Sequence, residues 1–540
     1  MKEIKNFYIG VFLVATVVIC SVLLGFELKN HSGDELKSDR TVINTNYGSF
    51  LAAQHALFVN DFESASKMLD SVNVDIKAVN QSKDLSDFLV GKMPKNPESL
   101  AKDKKITNSL IYDAYLIKNG NWKKVYDRHH SKDDNMFSIP LRVFSSVKQG
   151  KKKEALKFVE SLHTSATSKA FLRGQIAVVE NDIDAAAKEF AKVDVDFMNL
   201  VDYLYLMSFY RENGMLEDMD ILRDDFIVEN GGTYVLDYPD IPDWSVFAGY
   251  ENNVAFSFLQ TVSHTQFLMY TDLSLILLRF SQIISDNANA DAINYYLGDY
   301  LYYNSGDYKK AFGSISKKTP LYLFGQMAMA QYANDIDAVK KIANKHPLFV
   351  PAVGISIEND IKNGNKRAAL RTVNRALNQD NLSDKARVYF LKHRIKIYLA
   401  FDDAKEAQKD IDEISSIDNT VSADMLLLQA NVWAKQDKNL DKAYEYAMLL
   451  IKKDTSDVLA WDTLGVIIEK REGVLAALDL MQRVGEIAVS VSSLYEHLGD
   501  YYKKIGDKEK ARRSYLRAID LSDDGLVVVP YIQKKIRNLK

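Results

Sequence analysis

The sequence predicts an all-α fold built from stacked helix pairs, an α-solenoid, attached to one N-terminal transmembrane helix. Three observations support this fold class. The chain has 540 residues with only 9 prolines and 24 glycines, which favours long helices over many short strands. Residues 7–26 contain no charged side chain. Towards the C-terminus, matching residues recur every 34 positions, which indicates a repeat.

The composition excludes several classes of protein. With 47% hydrophobic and 26% charged residues, the chain resembles an ordinary folded protein rather than a disordered one. Its formal net charge of −4 is spread without large blocks of one sign, whereas nucleic-acid binders usually carry a concentrated basic face. Because Cys20 is the only cysteine, the chain contains neither an internal disulfide nor a cysteine metal site.

Residues 7–26 are predicted to be a signal anchor within an N-terminal segment 1–26. Twenty helical residues span roughly 30 Å, the thickness of the hydrocarbon core of a bilayer. Lys2 and Lys5 precede this stretch and favour a cytoplasmic N-terminus. A cleaved signal peptide is the alternative, but the end of the apolar stretch lacks an A-x-A-like site. A lipoprotein site at Cys20 is less favoured, because bulky Ile19 precedes it and the apolar stretch continues beyond it.

This orientation predicts an inner-membrane protein whose folded part lies in the periplasm of a Gram-negative cell. The further division of the chain follows from composition and periodicity. Polar residues 27–46 read as a tether, and two glycines and two prolines interrupt any helix in 230–244. The predicted parts are irregular helix pairs over 47–229, the interruption 230–244, a C-terminal array over 245–529 with its clearest units near 424–457, 458–491 and 492–525, and a capping helix over 530–540.

The repeat signature is clearest in the last two units. A large aromatic residue precedes a Leu-Gly pair by one helical turn, and a small residue follows on the second helix. Gly465 and Gly499 are expected to let the second helix pass closely, with Ala477 and Ala511 facing them. The signature residues are Trp461, Leu464, Gly465, Ala477, Tyr495, Leu498, Gly499, Tyr502, Ala511, Tyr515 and Ala518.

These residues match the tetratricopeptide repeat (TPR) pattern, and the chain resembles the long, signal-bearing TPR proteins of proteobacterial envelopes. The resemblance is most specific in AWDTLGV (460–466) and YEHLGDYYKKIGDKEKARRSYLRAI (495–519), and it extends to YYLGDYLYYNSGDYKKAF (295–312) and GSFLAAQHALFVNDFESA (48–65). It implies a right-handed TPR superhelix that acts in protein association at the envelope. It brings no catalytic residues and no cofactor.

The search for chemistry finds no catalytic motif and no cofactor-binding motif. His129 and His130, followed by Ser131 to Asp134, lack the spacing of a helical metal site, so a solvated loop is the preferred interpretation. Three aspartates in the interruption do not follow the spacing of a calcium loop, so they are expected to form local turn hydrogen bonds. They are Asp237, Asp240 and Asp243.

A cluster of tyrosines is the strongest candidate for partner binding. If Leu297-Gly298 is the Leu-Gly of a repeat, then Tyr295, Asp299 and Tyr302 fall where TPR proteins face their groove, and Tyr303 lies beside them. Tyrosine offers a large contact area with a polar tip. The alternative is that these tyrosines pack between helices.

The groove positions of the last two repeats argue against a clamp for a C-terminal carboxylate. They hold Glu496 and Asp500 in the last repeat, and Asp462 and Val466 in the one before. Acidic side chains there would repel a carboxylate.

The predicted function is a membrane-anchored scaffold that binds protein partners of unknown identity and is not an enzyme. A narrower alternative is an accessory factor or chaperone for secretion or envelope assembly. An enzyme with an unrecognised site is the alternative from another class, and self-association remains open.

Overall fold

The computed structural model describes residues 46–58, 61–94, 97–101, 105–130, 135–229, 249–264, 272–285, 289–304, 307–380, 382–418, 422–487 and 490–539. Throughout these ranges the regular elements are helices and no strand occurs, so the prediction of an all-α fold is confirmed there. The predicted anchor 7–26, the tether up to residue 45 and the interruption 230–244 lie outside the described residues. No helix in the described ranges is long and apolar enough to cross a membrane.

The described residues divide into two compact units, with the boundary between Ser86 and Asp87. In the first unit, helices α1 (Asn46–Phe58) and α2 (Phe62–Asp70) form an antiparallel pair. Ala53 and Ala65 are completely buried between them, because small residues let two helices approach closely. Helix α3 (Lys77–Leu89) begins in this unit and crosses its boundary.

The second unit continues with α-helices and a few short 3₁₀ turns. The helices are α4 (Ile106–Lys118), α5 (Trp122–His129), α6 (Ser138–Lys148), α7 (Lys152–Ser161), α8 (Ala166–Val179), α9 (Ile183–Phe190), α10 (Leu200–Glu212), α11 (Leu216–Glu229), α12 (Tyr250–His264), α13 (Asp272–Ile284), α14 (Ala290–Tyr303), α15 (Tyr308–Gly313), α16 (Leu321–Tyr332), α17 (Ile336–Lys345), α18 (Val350–Lys362), α19 (Lys366–Leu377), α20 (Asp384–Ala400), α21 (Ala404–Ile417), α22 (Ala423–Gln436), α23 (Leu440–Lys453), α24 (Val458–Glu472), α25 (Val474–Ile487), α26 (Ser492–Lys504), α27 (Lys508–Asp520) and α28 (Val529–Arg537).

Helices α4 to α11 and α14 to α27 are arranged as consecutive pairs. From α14 to α27 each helix packs against the next one in the chain, and first helices also contact first helices of neighbouring pairs, as in α20 with α22 and α24 with α26. From α4 to α11 successive helices pack in the same way, except that α9 and α10 meet through the ring of Phe190 against those of Tyr205 and Phe209. We call the surface formed by these first helices the first-helix face. This stacking of helix pairs is an α-solenoid arrangement.

The turn inside many pairs ends with an aspartate that caps the second helix. Gly506 ends α26 with a φ of +86°, a conformation that glycine adopts without strain. Asp507 follows it, and its carboxylate accepts a hydrogen bond from the backbone N–H of Lys510 at 3.0 Å, satisfying a donor that the helix leaves free. The same cap is formed by Asp61, Asp182, Asp307 and Asp335.

The regular spacing of the signature has a steric cause, but the side chains that face the glycines are not the predicted ones. A Cβ atom on Gly499 would lie 2.4 Å from the ring of Tyr515, and one on Gly465 would lie 2.3 Å from Sδ of Met481. Large side chains therefore cross over these glycines, rather than Ala477 and Ala511, because the crossing point lies one turn further along the second helix. The two alanines are completely buried and admit the neighbouring helices.

The other signature residues belong to the core. Leu464, Leu498, Tyr515 and Ala518 are buried. Trp461, Tyr495 and Tyr502 are partly buried and pack against the clusters that join one pair to the next. Their role in the described structure is therefore to hold the stack together.

Helix α12 covers the first-helix face of the N-terminal pairs. It packs against α6, α8 and α10. The ring of Phe256 lies 4.4 Å from that of Tyr205, whose hydroxyl donates a hydrogen bond to Asn253 at 2.9 Å. At the other end of α12, His264 lies 2.5 Å from Asp202 of α10. This segment of the chain thus occupies the surface on which a partner would be expected.

The C-terminal end packs back onto helices α18 to α20. Lys362 forms an ion pair with Asp523 in the 3₁₀ turn that follows α27. Gly525 approaches α18 so closely that a Cβ atom would lie 2.6 Å from Cγ of Glu358. Tyr531 of α28 has its ring 6.1 Å from that of Phe401. The C-terminal residues therefore pack against helices that lie more than 100 positions earlier in the sequence.

A glycine substitution tests the crossing. We expect Gly499→Ala to lower the unfolding free energy by about 1–3 kcal/mol, the usual effect of overpacking, because Tyr515 is buried and its hydroxyl is held by Asp500 at 2.7 Å. Gly354→Ala is the control, because a Cβ atom there would meet nothing within 4 Å and helix propensity favours alanine. Thermal unfolding followed by circular dichroism measures the melting temperature of both variants. Equal melting temperatures of Gly499→Ala and Gly354→Ala would contradict the steric explanation.

Candidate partner-binding site

The predicted tyrosine site is largely occupied by packing within the protein. The ring of Tyr302 stacks on that of Tyr332 of α16 at 3.6 Å and 3°. Tyr295 lies against Phe312 and Phe324 at 6.0 and 6.4 Å. Of the four predicted residues, Tyr303 alone is mainly exposed, at 54%. The structure therefore brings the tyrosines together but leaves little of their surface for a partner.

Asp299 is buried beneath this cluster. Its carboxylate accepts a hydrogen bond from the Tyr332 hydroxyl at 2.6 Å. Burial raises the pKa of Asp299 to about 6, although the hydrogen bond from Tyr332 acts in the opposite direction. Asp299 thus links α14 to α16 and is not accessible to a partner.

A larger opening lies along the first-helix face further on. It is a cavity of about 1050 Å³, bounded mainly by α18, α20 and α22, with Ile414 and Ile417 from α21 and Leu459 alone from α24. It is slightly larger than typical small-molecule pockets of 300–1,000 Å³. We call it the α18–α24 cavity. Its apolar lining consists of Val350, Pro351, Ile355, Val388, Ile414, Ile417, Met425, Leu427, Leu428 and Leu459.

Polar side chains of α18 and α20 face the same cavity. The ring nitrogen Nε2 of His393 lies 2.6 Å from the hydroxyl of Tyr389. Burial lowers the pKa of His393 to about 3, so the imidazole is neutral at pH 7 and can accept this hydrogen bond. Burial also raises the pKa of Glu358 to about 6, although the charge of Lys396 opposes this effect.

Charges at the rim of the cavity are predominantly negative. Lys385 pairs with Asp225 of α11 at 2.8 Å, and Lys392 lies 3.6 Å from Asp424. Carboxylates outnumber ammonium groups in the lining, which holds Asp225, Glu358, Asp384, Asp418 and Asp424 against Lys385, Lys392 and Lys396. An apolar ligand that carries positive charge fits this lining better than an acidic one.

The sequence reasoning missed the α18–α24 cavity. One signal was present in α20, where Val388, Tyr389, Lys392, His393 and Lys396 recur at helical spacing and mix apolar with polar side chains. A helix face of this kind suits neither a dry core nor a fully solvated surface. The pairing of this face with α18 and α24 depends on stacking, which the sequence alone does not reveal.

The acidic groove positions of the last repeats are engaged by partners within the chain. Lys535 of α28 binds Glu496 at 2.8 Å and Asp500 at 2.6 Å. Burial alone would lower the pKa of Lys535, but the two carboxylates outweigh it and raise the pKa. Asp462 is likewise bound by His497 at 2.8 Å. These positions therefore present far less negative charge than the sequence predicts.

The prediction of a solvated loop is wrong for His129. This residue ends α5, is buried, and its Nε2 lies 2.9 Å from Asp113 of α4. Asp113 is also bound by Arg128 at 2.7 Å, so a buried acid attracts the histidine into the core. Among the described residues no group of three or more His, Cys, Asp or Glu side chains could hold a metal ion. Residues 131–134 and the three aspartates of the interruption lie outside those residues.

The raised pKa of Asp299 predicts a pH dependence of stability. Because the folded protein holds this proton more tightly than the unfolded chain, the stabilisation is complete below about pH 4 and is lost as the pH rises through about 6. We expect Asp299→Asn to remove up to about 3 kcal/mol of this dependence between pH 4 and pH 7. Urea unfolding at both pH values measures it, with Asp337→Asn, an exposed aspartate of α17, as the control. If the unfolding free energy changed equally with pH in the unaltered protein and in both variants, Asp299 would not be the source of the pH dependence.

Comparison with known proteins gives likenesses in structure only. The chain matches no family model and no curated protein. Among solved structures it is similar to a tetratricopeptide repeat protein from Parabacteroides merdae, with 14% identity over 47% of this chain and 93% of that chain and a TM-score of 0.32. It is also similar to yeast Tom70, with 10% identity over 91% of this chain and 96% of that chain and a TM-score of 0.27. The helix pairing itself, and not these likenesses, identifies the second unit as an α-solenoid.

Proposed function

We propose that this protein is a scaffold that binds a segment of another protein in the α18–α24 cavity. The observation that carries the proposal is the cavity itself, a largely apolar surface formed mainly by the first helices α18, α20 and α22, with polar groups at its edge. Large apolar surfaces that remain open on a folded protein commonly mark binding sites. The negative rim favours an apolar segment with basic residues.

The proposal extends to an anchored protein of the TPR class in a bacterial envelope. Residues 7–26 lack charge and follow Lys2 and Lys5, which supports an inner-membrane anchor with the helix pairs in the periplasm. A scaffold fixed at the membrane would hold its partner close to that surface. Accessory or chaperone roles in secretion or envelope assembly are specific forms of the same function.

Filling the cavity tests partner binding. Gly354 lines it, and a side chain there would enter open space, so we expect Gly354→Leu to fold normally and weaken partner capture by about tenfold or more, an effect of about 1.4 kcal/mol. The measurement is in-cell crosslinking of the tagged full-length protein, followed by mass spectrometry of the attached proteins.

Gly313→Leu is the matched control. Gly313 is exposed at the end of α15, and a side chain there also meets nothing within 4 Å, but it does not line the cavity. Capture that survives Gly354→Leu at the level of Gly313→Leu would contradict binding in the cavity. Loss of capture in both variants would place binding elsewhere.

Two charges in the apolar stretch test the anchor. Arginine at the centre of a membrane helix costs about 2.5–3.5 kcal/mol, so we expect Val14→Arg with Val17→Arg to release the chain from membranes washed with sodium carbonate. Asp34→Arg in the tether is the control and is expected to stay bound. Release of the unaltered chain, or a mature N-terminus beyond residue 26 on sequencing, would contradict a retained anchor.

A further inference from the structure

Helix α1 exposes three of its five large apolar side chains along one side. The residues that face α2 and the interior are small, namely Ser49, Ala53 and Ala56. The opposite face exposes Tyr47 at 73%, Leu51 at 46% and Phe58 at 73%. These three residues lie at helical spacing on one side of the helix, and we call them the α1 stripe.

Helix α1 has no strongly charged side chain that would oppose burial of this stripe. Its sequence NYGSFLAAQHALF contains no Asp, Glu, Lys or Arg, although 26% of the whole chain is charged. End helices of repeat arrays normally have a polar outer face, because that face meets water. An exposed apolar stripe without neighbouring charges can instead be buried in a lipid surface, and Tyr and other amphipathic rings are enriched at membrane interfaces.

The position of α1 in the chain points to the same surface. It begins 20 residues after the predicted anchor, a length that spans at most about 70 Å even when fully extended. A tether this short keeps α1 near the bilayer at high effective concentration. A weakly apolar surface is therefore sufficient for docking.

A second copy of the protein is a less suitable occupant. Two aromatic residues and a leucine at these exposures present on the order of 400 Å² of surface, whereas a standard interface buries about 800 Å² per partner. A lipid surface has no such minimum area, because the anchor already holds the two together.

We propose that α1 lies on the bilayer surface with Tyr47, Leu51 and Phe58 in the interfacial region. This proposal rests on the anchor proposed above, and adds a second contact that fixes the first helix pair close to the membrane. Aromatic rings would sit at the level of the lipid headgroups, with the small-residue face of α1 still packed on α2.

Single-cysteine labelling of the full-length chain tests the proposal. Cys20 is the only cysteine, so a Cys20→Ser background accepts one new cysteine at Tyr47→Cys or Phe58→Cys. Leu475→Cys is the control, since Leu475 is an exposed apolar residue of α25, at 70%. Each protein is labelled with the fluorophore NBD and reconstituted into vesicles of phosphatidylethanolamine and phosphatidylglycerol that contain spin-labelled lipid.

We expect a blue shift and lipid quenching at positions 47 and 58 on reconstitution, with neither at position 475. Quenching by aqueous iodide at 47 and 58 equal to that at 475 would overturn the proposal while leaving the anchor intact. Shielding from iodide without lipid quenching would also overturn it, because a protein surface would then cover the stripe. Failure of the chain to remain with the vesicles after a carbonate wash would overturn the anchor and this proposal together.

Discussion

A helix pair cannot bury all of its apolar surface by itself, and the rest of this structure depends on how that surface is covered. Most of it is covered by the next pair, through buried small residues such as Ala477 and Ala511. In the N-terminal part of the second unit, α12 covers the first-helix face with Phe256 and its neighbours. At the other end, Ile532 of α28 is buried against Ala511, Tyr515 and Ala518. The α18–α24 cavity is an interruption of this covering.

Buried carboxylates make the stacking specific. Asp113, Asp299 and Asp410 are each almost completely buried, and each is bonded to a side chain of another helix: Arg128, Tyr332 and Arg394, respectively. A buried acid without its partner would be strongly destabilising. Such pairs therefore act less as a source of net stability than as a penalty on incorrect neighbours. Asp202 extends this principle to α12, because His264 and Gln260 both reach it from that helix.

The sequence predicts features that arise from contacts within one helix pair. It does not predict features that arise from contacts between helices far apart in the sequence. The helical class follows from periodicity within a few turns, and the signature glycines follow from contacts inside one pair, so both leave local traces. The detail that Tyr515 rather than Ala511 crosses Gly499 depends on the crossing point of two helices, which spacing alone does not determine. His129 was misjudged because its partner Asp113 lies 16 positions away on another helix. The cavity was missed for the same reason, since α18, α20 and α22 meet only through stacking. The stacking of Tyr332 on Tyr302 could not be predicted from the sequence either, because Tyr332 belongs to the next helix pair.

Helix α12 illustrates what an occupant of a first-helix face requires. It supplies an aromatic ridge, with Phe256 against Phe171 and Tyr205, and it satisfies the buried polar groups that it covers, with Asn253 accepting from Tyr205. The α18–α24 cavity offers the same combination of an apolar floor and polar groups, in Tyr389, His393 and Glu358. An occupant that supplied only apolar surface would leave Glu358 desolvated, and the ionised form of a carboxylate is disfavoured there. A basic side chain beside an apolar ridge would reduce that cost, adding to the effect of Lys396. The binding proposed above would therefore favour a partner that resembles α12 in its apolar ridge and differs from it by carrying positive charge towards α18.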